Sequence, residues 1–204
     1  MLLNLLFENP VIFVVVAGSL VISLTIHEFA HAYVASILGD PSPKMMGRVS
    51  LNPLRHLDPL GTVMLLIAGF GWGKPVLIND YNFKYPRRDS ALVALAGPVS
   101  NLILATIVAF LIRFVFGELI FISSILSVIV YYNLILCFFN LIPVPPLDGF
   151  KVIGGFLPLD FSVKWHEFEK YGVYVLLIMF MTGATSKIIT PFVGVAMKIL
   201  GIGF

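Results

Sequence analysis

An apolar stretch of this chain is interrupted by His27-Glu28-Phe29-Ala30-His31. Ionisable groups cost a few kcal/mol each at the centre of a bilayer helix, so a membrane segment that carries three of them has a use for them. At about 100° per residue the two histidines fall roughly 40° apart, one turn from each other on a single helix face. Two imidazole nitrogens at that spacing can reach one Zn²⁺, with Glu28 beside the open coordination position. A bland alternative is two buried histidines hydrogen-bonded to neighbouring helices. The spacing together with the carboxylate predicts a hydrolytic metal site placed inside a membrane.

The chain has 204 residues, of which 59% are hydrophobic and only 12% charged. A water-soluble domain of this length carries about 25% charged residues. An all-α integral membrane protein is predicted: one polytopic domain over 1–204, a multi-pass helical bundle of four to six membrane segments, with no room for a second domain of ordinary size. Cys137 is the single cysteine, so no internal disulfide forms. The basic residues are placed unevenly. Lys44, Arg48, Arg55, Lys74, Lys84, Arg87 and Arg88 precede Ser90, and Lys151, Lys164 and Lys170 follow Leu147. The positive-inside rule therefore puts 39–90 and 147–170 in the cytoplasm and the N-terminus and the turn at Gly117 outside. The N-terminus lacks a basic n-region and runs on into the histidine motif, so it is expected to be a retained signal-anchor in a cell membrane (inner or plasma membrane).

Spans are predicted at about 10–38, 91–116, 119–141 and 171–203, the last broken near 183–191 as one kinked helix or a hairpin. Residues 60–70 are apolar but too short to cross, and Gly69, Gly71, Gly73 and Pro75 stop a helix from continuing past them. If 60–70 crossed, Arg87 and Arg88 would lie outside and everything downstream would invert. That stretch is expected to be re-entrant or interfacial, and the neighbouring 48–52 to form a short strand.

Two histidines leave a zinc site short of a third protein ligand. Spans two and three go out and back, so the residues after Leu141 return to the depth of the histidines. Asp148 arrives there in a proline-rich loop that has little entropy to lose on fixing a ligand. His27, His31 and Asp148 are therefore the expected metal ligands. Bound Zn²⁺ acidifies water, and Glu28 can take the proton and pass it to a leaving amine. Asn140 is placed to steady an oxyanion, with an interhelical hydrogen bond as its alternative. Asn101 is open between touching substrate and packing helices. His56 and Asp58 suit turn chemistry, His166 a solvated position, and Trp72 and Trp165 an interfacial belt.

These residues resemble the site-2 protease family of intramembrane zinc metalloproteases, particularly its short prokaryotic members. His27-Glu28-Phe29-Ala30-His31 resembles its H-E-x-x-H, and Asn140-Leu141-Ile142-Pro143 through Leu147-Asp148-Gly149 its N-x-x-P…D-G motif. Ala96-Gly97-Pro98-Val99-Ser100-Asn101 resembles its A-G-P-x-x-N segment. Two stretches, 52–59 and 71–76, resemble a subgroup of small members. The resemblance covers roughly 20–155 and implies one Zn²⁺ per chain and cleavage of single-pass transmembrane proteins or membrane peptides within the lipid bilayer. It implies no nucleic-acid partner and leaves the oligomeric state open. The PDZ or CBS domains of many relatives have no place in this chain. A non-catalytic membrane metal binder or zinc transporter is the alternative. A transporter spreads polar residues along a pathway, whereas here they converge on one depth.

Overall fold

The proline-bounded apolar runs become long helices in the computed structural model, which describes residues 2–68 and 71–203. In chain order the helices are α1 (Leu2–Glu8), α2 (Pro10–Ile37), α3 (Ser42–Met45), α4 (Pro59–Ala68), α5 (Pro86–Leu111), α6 (Ile120–Asn140), α7 (Asp148–Phe156), α8 (Leu159–Glu167), α9 (Gly172–Met181) and α10 (Ala184–Ile199). Pro10–Ile37, Pro86–Phe116 and Ile120–Asn140 are long and apolar enough to cross a membrane, and the bent pair Leu159–Met181 and Ala184–Ile199 would make a fourth if its halves form one broken span. Only 28%, 28% and 22% of their most apolar windows are buried, so most of that apolar surface faces outward, as a lipid solvent requires.

Helix α5 is central, packed against α2, α6 and α7, while α10 covers α6. Ala105, Val108, Val130, Leu134, Val193 and Met197 form the main apolar core. Helix α5 starts ahead of the expected span because Pro86 presets the first turn and buried Asp89 accepts the Tyr85 N–H at 3.0 Å. The apolar C-terminal stretch breaks at Thr182-Gly183, where Gly183 has φ +69° and the axis turns by 76°. Pro191 stays inside α10.

The expected strand at 48–52 does not form; no strand occurs among the described residues. Polar side chains take the backbone's partners there. Asn52 Oδ1 accepts the Leu54 N–H at 3.0 Å, and the Arg48 N–H turns back to Pro43 O at 2.8 Å. The Arg48 side chain is buried and donates to the carbonyls of Arg55 and Pro75. A single antiparallel bridge joins Leu57 to Gly73, with the Lys74 N–H donating to His56 O at 2.7 Å. Helix α4 therefore leaves and returns at one point; Gly69, expected as a breaker, lies outside the described residues. At about 1.5 Å per residue α4 is about 15 Å long, half a bilayer core.

Asp40 closes the neck of this excursion. Fully buried, it accepts Ser42 N–H at 3.1 Å, Ser42 Oγ–H at 2.6 Å, Asn79 N–H at 2.8 Å and Asn82 Nδ2–H at 2.7 Å. The end of α2 and the approach to α5 are thus tied together. Burial alone would raise this carboxyl, but the Ser42, Asn79 and Asn82 hydrogen bonds hold it below the ordinary aspartate range. A depressed folded value stabilises the neck fully above the unfolded value, and the gain is lost as pH falls through the folded one. Thermal stability in detergent is therefore expected to match between wild type and Asp40→Glu in its flatness from pH 7 to 5. For wild type it should drop only below about pH 4, while Asp40→Ala should sit lower above that pH and show a smaller drop, since Asp89 is held low as well.

Candidate active site and metal centre

His27 and His31 sit one turn apart on α2, 4% and 6% exposed, with rings 4.6 Å apart at 87°. Each ring is held through Nδ1. His31 Nδ1 pairs with the carbonyl of Val93 at 2.7 Å, and His27 Nδ1 with Asn101 Oδ1 at 2.7 Å. Both partners lie on α5, which approaches closely because residue 97 is glycine: a methyl group there would overlap both imidazoles. Gly97→Val is therefore expected to abolish metal binding or folding outright, read by zinc content and by yield of monodisperse protein.

A carbonyl cannot donate, so His31 carries a proton on Nδ1 and directs Nε2 to the interior. The two Nε2 atoms face each other at 3.0 Å, and Asp148 Oδ2 lies 3.1 Å from that of His27 and 3.3 Å from that of His31. Asp148 Oδ2 is buried without a hydrogen-bond donor. Two ring nitrogens and a carboxylate oxygen thus converge, an arrangement that a bound cation would satisfy. Tetrahedral Zn²⁺ with bonds of about 2.0–2.1 Å spaces its ligand atoms about 3.3 Å apart, close to this triangle. The residues present fit the ion.

The loop from Leu141 to Leu147 delivers Asp148 at the first turn of α7. Gly149 permits this, since a side chain there would strike the carbonyl of Leu141. Helix α7 is clamped on its other side: Trp165 stacks on Phe150 at 4.9 Å and donates Nε1–H to Phe150 O at 2.9 Å. Trp165 thus supports the aspartate's helix as well as suiting an interface. A cleft of about 430 Å³ opens over the triad, with Glu28, Asn140 and Lys151 on its walls. Glu28 is half-buried. Asn140 lines the cleft and also donates Nδ2–H to Leu136 O at 3.0 Å, which fixes its amide on its own helix.

His56 is buried and pairs with Ser50 O at 2.7 Å, while Asp58 caps α4 through the Gly61 N–H at 2.7 Å. Both belong to the excursion and not to the triad. His166 is exposed. Of the two roles open to it from sequence Asn101 takes the helix-packing one: fully buried, it bonds across helices to His27 and Ser23 of α2 and to Asn133 of α6. Segment 75–78, which forms one wall of the cleft and lies outside any regular element, overlaps the 71–76 stretch only at Pro75 and Val76, and nothing in the sequence placed it at the site.

The profile of Peptidase family M50 matches residues 117–183. The candidate zinc metalloprotease YwhC of Bacillus subtilis is 43% identical over 181 residues, 85% of this chain and 83% of YwhC. The candidate zinc metalloprotease Rip2 of Mycobacterium tuberculosis is 31% identical over 180 residues, 83% of this chain and 68% of Rip2. A third, MJ0611 of Methanocaldococcus jannaschii, is 32% identical over 111 residues, 53% of this chain and 51% of that protein. No solved structure matches the chain. With three membrane-length apolar helices and a converged His-His-Asp group in place, the chain belongs to peptidase family M50, the site-2 proteases, as a membrane zinc metalloendopeptidase.

Proposed function

We propose that the chain is an intramembrane endopeptidase in which His27, His31 and Asp148 hold one zinc ion, Glu28 is the general base and Asn140 a neutral donor to the oxyanion. The observation that carries this reading is the approach of His27, His31 and Asp148 within 4.8 Å of one another beneath a cleft that Glu28 lines. Bound zinc supplies a polarised water and a Lewis acid for the scissile carbonyl. Glu28 would take the proton from the attacking water and return it to the leaving amine. Asp148 and ionised Glu28 bring the centre to about zero net charge, which suits low dielectric.

A helix enters such a site only after local unwinding, and its freed backbone groups need partners. Segment 75–78 is suited to supply them. It is held at one end by Arg48 on Pro75 O at 3.2 Å and at the other by Asp40 on the Asn79 N–H at 2.8 Å. Among the described residues, no hydrogen bond joins the backbone of Val76, Leu77 or Ile78 to another group. An unwound substrate adds to this edge as a strand. The substrates on this reading are single-pass transmembrane proteins or membrane peptides, in regulated proteolysis or in clearance.

The neck at Asp40 supports a single polytopic domain in which 60–70 does not cross. With the charge map, it favours a site in the cytoplasmic half of a cell membrane and an N-terminus outside. The buried hydroxyls below the histidines do not support a transport path: Ser19 and Ser23 donate back to their own helix at 2.6 and 2.7 Å. The test is cleavage of a single-pass reporter by purified protein in detergent, abolished by a chelator and restored by Zn²⁺. Cleavage indifferent to chelation would overturn the assignment, and zinc bound without cleavage would turn it toward the metal binder or transporter.

A further inference from the structure

His31 is oriented by a backbone carbonyl, but His27 is oriented by a side chain, and that side chain is itself held. Asn101 donates Nδ2–H to Ser23 O at 2.9 Å and to Asn133 Oδ1 at 2.8 Å. Asn133 in turn donates Nδ2–H to Ile129 O at 2.8 Å. Both asparagines are fully buried. The chain of hydrogen bonds therefore runs from α6 through α5 to α2 and ends on the His27 ring.

The direction of this relay is fixed by its two backbone ends. Ser23 O and Ile129 O can only accept, so each amide must turn its nitrogen toward a carbonyl. Flipping Asn101 would set its oxygen against Ser23 O and Asn133 Oδ1. Flipping Asn133 would set oxygen against Ile129 O. With both amides fixed, Asn101 Oδ1 is the atom that meets His27 Nδ1, at 2.7 Å. Only the imidazole tautomer with its proton on Nδ1 satisfies that contact, and it leaves a lone pair on Nε2, the atom facing His31 and Asp148.

We infer that Asn101 and Asn133 are positioning residues that fix the His27 tautomer and ring plane for the metal, and that α6 takes part in metal binding through Asn133. This rests on the reading of His27 as a zinc ligand. It also links the two ends of the site, because α6 carries Asn133 midway and Asn140 at the cleft.

The test uses full-length protein in detergent, all variants in a Glu28→Gln background, with zinc affinity read by competition against a chromogenic chelator and metal-free melting temperature read alongside. Asn101→Leu removes the acceptor and is expected to weaken zinc about 10- to 100-fold. Asn101→Asp keeps an oxygen on His27 Nδ1 but sets its second oxygen against Ser23 O and Asn133 Oδ1. It is expected to melt lower than Asn101→Leu yet hold zinc within about threefold of the parent. Asn133→Leu removes one of the two anchors of Asn101 and should fall between them. A merely structural role predicts that affinity follows melting temperature, with Asn101→Asp worst in both, and that result would overturn the inference. So would parental affinity in Asn101→Leu or, if that variant does not accumulate, in Asn133→Leu. A parent that binds no zinc sinks the metal assignment itself, a separate and distinguishable failure.

Discussion

A Glu28→Gln variant is expected to hold zinc as the wild type does and to cleave a single-pass transmembrane reporter about 10²- to 10⁴-fold more slowly. Glu28 lines the cleft beside the triad but is not one of the three converging groups, so an isosteric amide leaves the metal's partners in place. If Glu28 is the proposed base the loss should fall on kcat, because that role acts on the water's proton and on the leaving amine and not on docking. Glu28→Asp keeps the base but withdraws it by one methylene, and an intermediate rate is expected. Single-turnover cleavage with zinc content measured on the same sample checks both. A variant that cleaves normally would remove Glu28 from the chemistry, and one that loses zinc would make it a ligand.

The parts of the site that could be read from sequence are those whose logic is local or follows from counting crossings. His27, Glu28 and His31 are fixed by the pitch of one helix, and Asp148 by two spans that go out and back and a loop stiffened by Pro143, Pro145 and Pro146. Asn101 could not be assigned because its role depends on a contact with a helix 74 residues away in sequence. The short strand expected at 48–52 fails for a related reason. Val49 and Leu51 suit a strand, but Arg48 reaches out to Pro75 O and Asn52 turns to cap the next turn, and neither is visible in alternation. At the C-terminus Gly183, with its left-handed backbone, breaks the apolar stretch, whereas Pro191 is carried within α10. The role of the wall at 75–78 was not legible although 71–76 carries a resemblance, since its ends are held by Asp40 and Arg48 from another part of the chain.

That wall gives the second large effect. Single proline substitutions at Val76, Leu77 and Ile78 are expected to depress cleavage of a transmembrane reporter in an alternating pattern, with a loss of about 10- to 100-fold at the sensitive positions. In a strand, successive residues turn their N–H and C=O toward opposite edges, so only every second N–H faces the cleft. Removing one such donor costs the paired substrate carbonyl its partner, and in a water-poor site an unpaired carbonyl costs several kcal/mol, of which about 1.4–2.8 kcal/mol corresponds to the stated loss. Proline suits extended backbone, and these three N–H groups have no partner among the described residues, so the wall itself loses nothing. Val76 and Ile78 are half-buried while Leu77 is exposed, so the side chains already alternate. Zinc affinity should stay at the wild-type value in all three variants. A short soluble peptide, which needs no unwinding, should lose less than the transmembrane reporter. Equal losses at all three positions would indicate collapse of the wall and not a strand edge. No loss at any of them would mean that the unwound substrate finds its partners elsewhere.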